Sequence, residues 1–87
     1  MVSKDILVRN STGIHTRPAS LFVKAASQFQ SDIYVEKEDK SANGKSMLGV
    51  LSLCINCGSI IKIRAEGPDE KAAVYKLVEL VETGLEE

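Results

Sequence analysis

Apolar residues recur along this chain at two different periods, and the changes of period mark out its elements. From Lys4 to Val8, Ile6 and Val8 alternate with polar neighbours, which predicts a strand. The turn cluster Asn10-Ser11-Thr12-Gly13 ends it. Ala19, Phe22, Val23, Ala26 and Phe29 then fall at i, i+3, i+4, i+7 and i+10, a single helical stripe. Pro18 suits the first turn of that helix, where N–H groups lack intrahelical partners, so the helix is expected to begin near His15 or Thr16. Asp32 to Lys37 alternates again through Ile33 and Val35. Glu38-Asp39-Lys40 reads as a turn into a short polar edge strand, which Asn43-Gly44 breaks. Ser46 is an N-cap for a short helix starting at Met47, with Gly49 a weakening residue inside it.

The clearest strand is Ile60 to Glu66, where Ile61, Ile63 and Ala65 oppose Lys62, Arg64 and Glu66, and Gly67-Pro68 stops it. Asp69 and Glu70 suit the positive end of a last helix. Its stripe is Val74, Leu77, Val78, Val81 and Leu85, with Gly84 as its stop. The order is therefore β-α-β-β-α-β-α. Strands with one apolar face need cover on one side only. The expected architecture is thus α+β, an open-faced β-sandwich in which three helices cover one face of a four-stranded, mainly antiparallel sheet.

The chain has 87 residues, enough for one domain spanning 1–87 and too few for a deep catalytic cavity. Eleven Lys and Arg against twelve Asp and Glu leave a net charge of −1, no reason to expect nucleic acid or an anionic membrane as partner. An aromatic content of 5% argues against a base-stacking platform. The longest apolar stretch, Met47 to Ile55, is too short to span a bilayer. The N-terminal residues lack the apolar run of a signal peptide, so the cytoplasm is the expected compartment, and a structural disulfide is not expected there.

The chemistry points to Gly13-Ile14-His15-Thr16-Arg17-Pro18. The single histidine of the chain lies between a glycine turn and a helix start. Unpaired amides and the helix dipole make such a start an anion site. Its positive field favours the neutral imidazole, which keeps a nucleophilic lone pair, and Arg17 can hold phosphoryl oxygens by charge-assisted hydrogen bonds. Gly13 gives the loop freedom, and Pro18 restricts Arg17 before it. On spacing alone, such a histidine is as readily a capping or surface residue. No Ser/His/Asp set is possible beyond this one histidine, and a metal site would need more ligands than the chain supplies nearby.

The runs GIHTRPAS (Gly13 to Ser20) and NGKSMLGVLSL (Asn43 to Leu53) resemble the histidine-containing phosphocarrier (HPr) family of the bacterial phosphoenolpyruvate:sugar phosphotransferase system. The closing segment AEGPDEKAAVYKLVELVETGL extends the resemblance along essentially the whole chain. The resemblance implies that His15 accepts a phosphoryl group on Nδ1 from Enzyme I, and that Arg17 steadies it for passage to Enzyme IIA domains. It implies that Ser46 is a regulatory serine, modified by HPr kinase/phosphorylase in the Gram-positive type. The seryl-phosphorylated form there partners catabolite control protein A in catabolite repression. A phosphate on Ser46 would sit at a helix N-terminus and repel an approaching upstream partner. Thr16, Ser20, Lys24, Met47, Leu48, Gly49 and Leu51 correspond to a partner-docking patch. Of the apolar residues there, Met47 and Leu48 are expected to be at least partly exposed, and Val50 and Leu53 buried. The implied protein is a monomeric covalent carrier with no cofactor and no turnover of its own.

Cys54-Ile55-Asn56-Cys57 departs from the family, which usually carries small or polar residues in this connector. A C-x-x-C pair suggests redox or metal chemistry where it opens a helix, whereas here it follows one. Zinc would need two further ligands. The plain expectation is two reduced cysteines filling small positions, with Cys57 on the docking side. Two other readings compete with the relay. One is a purely regulatory HPr-like protein acting through Ser46, although such paralogues lack the histidine that this chain has. The other is a small metal- or thiol-handling domain built on Cys54 and Cys57.

Overall fold

The computed structural model describes residues 1–9 and 13–83. The elements are β1 (Val2–Leu7), α1 (Thr16–Ala26), β2 (Asp32–Lys37), β3 (Lys40–Asn43), α2 (Met47–Ser52), β4 (Ile60–Glu66) and α3 (Glu70–Glu82). Their order and type are those the alternation of periods predicts. The four strands form one sheet, β1-β4-β2-β3, in which every pairing is antiparallel.

Register follows the apolar pattern. Ile6 faces Ile61, and Val35 and Ile33 face Ile63 and Ala65, so these side chains line the covered side. Phe22 of α1 and Leu77 and Val81 of α3 pack onto them with almost no exposure. Burying each of these large side chains contributes about 1.5–3 kcal/mol. The other face is open and held by polar contacts: the Arg64 guanidinium lies 4.3 Å from the Tyr34 ring centre, and its Nε donates to Glu36 Oε2 at 2.9 Å. β2 and β3 meet through the two-residue loop Glu38-Asp39, with Glu38 at φ 57°, the left-handed geometry that matches strand twist in tight hairpins.

Two boundaries depart from the sequence reading. β1 runs from Val2 to Leu7 rather than from Lys4 to Val8. Val8 follows it, buried, and pairs with the chain before β4: its N–H donates to Ser59 O at 2.8 Å, and Gly58 N–H donates to Val8 O at 2.9 Å. Phe29 lies outside α1, because the Gln28 and Phe29 amides bond the carbonyls three residues back and close the last turn tightly. It still packs, half-buried, against the core. Asp69 and Glu70 stand at the start of α3 as the sequence predicts, but the Asp69 carboxylate bonds another segment rather than the helix. It accepts from the N–H groups of Gln30 and Ser31 at 2.9 Å each and from Ser31 Oγ at 2.5 Å, tying the α1–β2 loop to the start of α3. The Leu85 and Gly84 readings, and most of the turn cluster (Asn10, Ser11, Thr12), lie outside the described residues. Among the described residues no helix is long and apolar enough to cross a membrane.

Candidate functional site

The site is built where the chain turns from β1 into α1. Gly13 sits at φ 70°, a conformation unfavourable for a residue with a side chain, and it is packed tightly. A Cβ there would collide with Ile55 O and come within 2.8 Å of Asn56 Cα. Ile14 is buried, and its N–H donates to Ile55 O at 2.9 Å. The loop is thus seated on the connector between α2 and β4. Nothing local in the sequence announces that contact.

His15 follows as the N-cap of α1, with φ −106° and ψ −152°, and its side chain is exposed and makes no capping hydrogen bond to the helix. The first intrahelical bond runs from Ala19 N–H to His15 O at 2.8 Å. The amides of Thr16 and Arg17 therefore have no partner within the helix, and Pro18 has no N–H to lose. Pro18 is buried and pins the first turn to the core, while Thr16 and Arg17 remain exposed. Imidazole, two helix-start amides and a guanidinium thus belong to three consecutive exposed residues, a set of groups chemically suited to an anion.

Ser46 is the N-cap of α2, as its sequence position predicts. Its Oγ accepts from Gly49 N–H at 3.0 Å. Gly49 leaves room for this, since a Cβ there would lie 3.3 Å from Ser46 Oγ and from Ala42 Cβ. α2 packs beside α1. On α1, Ser20 and Lys24 are exposed one and two turns past the start. On α2, Leu48 is 82% exposed, Met47, Gly49 and Leu51 are half-buried, and Val50 and Leu53 are buried. The expected division of apolar residues on α2 is the observed one. Leu21 of α1, not singled out in the sequence, adds further exposed apolar surface.

The two cysteines are free thiols, unbridged in the structure. Both are exposed, and the buried residue between them is Ile55. Cys57 Sγ lies 3.7 Å from Arg9 O. Among the described residues no group of three or more metal-binding side chains forms.

The chain matches the PTS-HPr family model, described as the PTS HPr component phosphorylation site, over residues 2–83. It is 46% identical over 83 residues to the phosphocarrier protein HPr of Haemophilus influenzae, a match covering 95% of this chain and 98% of that one. It is 44% identical over 82 residues to the HPr-like protein Crh of Halalkalibacterium halodurans, covering 94% and 98%. The crystal structure of HPr-C-His from Thermoanaerobacter tengcongensis superposes with a TM-score of 0.95 at 46% identity, covering 100% of this chain and 99% of that one. With its sheet, its exposed helix-start histidine and a match along nearly its full length, this chain belongs to the HPr family of the phosphotransferase system.

Proposed function

We propose that this chain is a covalent phosphoryl relay that accepts a phosphoryl group from Enzyme I on His15 and passes it to Enzyme IIA domains, as a cytoplasmic monomer without turnover of its own. The observation that carries this reading is the exposed histidine at the N-cap of α1, next to two helix-start amides and Arg17. The imidazole lone pair attacks phosphorus, and the bond between phosphorus and the donor's own phosphohistidine nitrogen breaks, its electron pair leaving with the donor. The phosphoryl oxygens are then held by the Thr16 and Arg17 amides and by the guanidinium. These contacts favour the charged product without burying it, which suits a group that must soon leave. The exposed apolar residues of α2 beside α1, with Ser20, Lys24 and Thr16, supply a small docking patch of the kind that fast-exchanging complexes use.

A second layer is control through Ser46, with HPr kinase/phosphorylase as modifying enzyme and catabolite control protein A as partner of the modified form. Its support is the hydroxyl at the start of α2, beside exposed Leu48. The purely regulatory alternative gains weight from the similarity to Crh but leaves His15 without a role.

Incubation with Enzyme I and labelled phosphoenolpyruvate distinguishes these readings. The expected product carries one acid-labile, base-stable phosphoryl group per chain, and His15→Ala carries none. Label retained in that variant would place the acceptor elsewhere, and an unlabelled wild type would leave only the regulatory reading.

A further inference from the structure

Phosphoryl transfer makes no use of the two exposed thiols in the α2–β4 connector. That connector is not slack. Ile55 is buried, Asn56 N–H donates to Ser59 Oγ at 3.1 Å, and Ser59 N–H donates to Asn56 O at 3.0 Å. Its first residue, Cys54, takes φ 52°, a left-handed conformation unfavourable for any residue with a Cβ. The Lys37 ammonium holds it there by donating to Leu53 O at 3.3 Å and Cys54 O at 2.8 Å. Lys37 also lines, with Glu38, Asn56, Cys57 and Ser59, an open recess of about 560 Å³. Cys57 thus presents an exposed thiol at a recess that a small thiol reagent can enter. Between the two cysteines lie Ile55 and Asn56, the residues on which Gly13 and Ile14 rest.

We propose that Cys54 and Cys57 form a reversible oxidation site, closed to an intrachain disulfide by a low-molecular-weight disulfide such as oxidised glutathione, and that closure loosens the seat of the His15 loop. The Cys57 thiolate attacks one glutathione sulfur and forms a mixed disulfide, releasing one glutathione thiolate. The Cys54 thiolate then attacks the Cys57 sulfur, forming the protein disulfide and releasing the second. Two electrons pass from the protein dithiol to glutathione, and the two thiol protons end on the two released glutathiones. Drawing Cys54 and Cys57 together shifts the Ile55-Asn56 segment between them, and with it the Ile55 carbonyl that accepts from Ile14. Such a transient disulfide is compatible with a reducing compartment, where a structural one is not.

The effect on phosphoryl transfer rests on the relay reading, whereas the disulfide and its effect on the loop do not. The test equilibrates the full chain in glutathione mixtures of graded oxidation. It follows intact mass, peptide mapping and amide hydrogen exchange by NMR. The expected species is lighter by two hydrogens, cross-linked Cys54 to Cys57, and reverted by dithiothreitol. In it the Ile14 amide exchanges on the order of tenfold faster, and Enzyme I labels His15 more slowly. Cys54→Ser and Cys57→Ser form no intrachain cross-link and keep the slow Ile14 exchange. Glutathione adducts or interchain dimers alone, or a Cys54–Cys57 cross-link with Ile14 exchange unchanged, overturn the proposal. A reduced chain that Enzyme I fails to label removes the relay reading, and mass and exchange still decide the thiol proposal.

Discussion

Arg17 is exposed in the first turn of α1, one residue before a buried proline, so its side chain has charge to offer the site and little packing to lose. Arg17→Ala is expected to slow phosphoryl transfer from Enzyme I by about ten- to hundredfold, the worth of a charge-assisted hydrogen bond. Its thermal unfolding should stay within about 0.5 kcal/mol of wild type, as for other surface substitutions. Rapid-quench transfer kinetics and calorimetry check the two halves separately. At this scale the sequence is most legible where chemistry is local. His15 beside a helix start, Arg17 before Pro18 and Ser46 before a helix need only neighbouring residues for their recognition. The exposure of Cys54 and Cys57 is not legible there, because the spacing of residues in a connector does not reveal which of them turns inward. Ile55 takes the interior position, and the thiols are left outside.

α2 has only six residues, and Gly49 lies inside it, so its existence depends on its cap and its packing more than on propensity. The Ser46 hydroxyl accepts from Gly49 N–H, and Lys37 binds the carbonyls of Leu53 and Cys54 at the other end. Ser46→Ala should cost about 1 kcal/mol, lowering Tm by about 4–8 °C in a domain of this size. Ser46→Asp keeps a capping oxygen and should recover most of that loss while slowing labelling of His15. Thermal unfolding of both variants, with Enzyme I labelling in parallel, provides the check. Element types and order were readable because each stripe has a clean period. Boundaries were less so: α1 stops at Ala26 although the apolar spacing runs on to Phe29, since its last turn tightens before the spacing ends.

Across the whole molecule, the contacts that join distant segments at the start of α3 are acidic. Hydrogen bonds from Ser31 Oγ and the Gln30 amide hold the Asp69 carboxyl below the usual carboxylate range. The Gly67 amide and the Met1 ammonium do the same for Glu70. A carboxyl lowered in the folded state contributes its full stabilisation above its unfolded value, about pH 4. That contribution is lost as pH falls through the lower folded-state value. Denaturant unfolding should therefore show stability declining below about pH 4. Asp69→Asn should be less stable at neutral pH and show a shallower acid decline than wild type. Such cross-chain contacts were illegible in the sequence, where Asp69 reads as a helix-dipole residue and Ser31 as a loop residue.

The crowding at Gly13 also sets an order of events. The turn that presents the imidazole leans on residues some forty positions further along, Ile55 and Asn56. A nascent chain still lacking its second half thus has helix-forming residues after His15 but no floor beneath them. Since closing so long a loop carries an entropic cost that only a docked β4 repays, the seating of the His15 loop arrives late in folding. Partly made copies would have the sequence of the site without its seat.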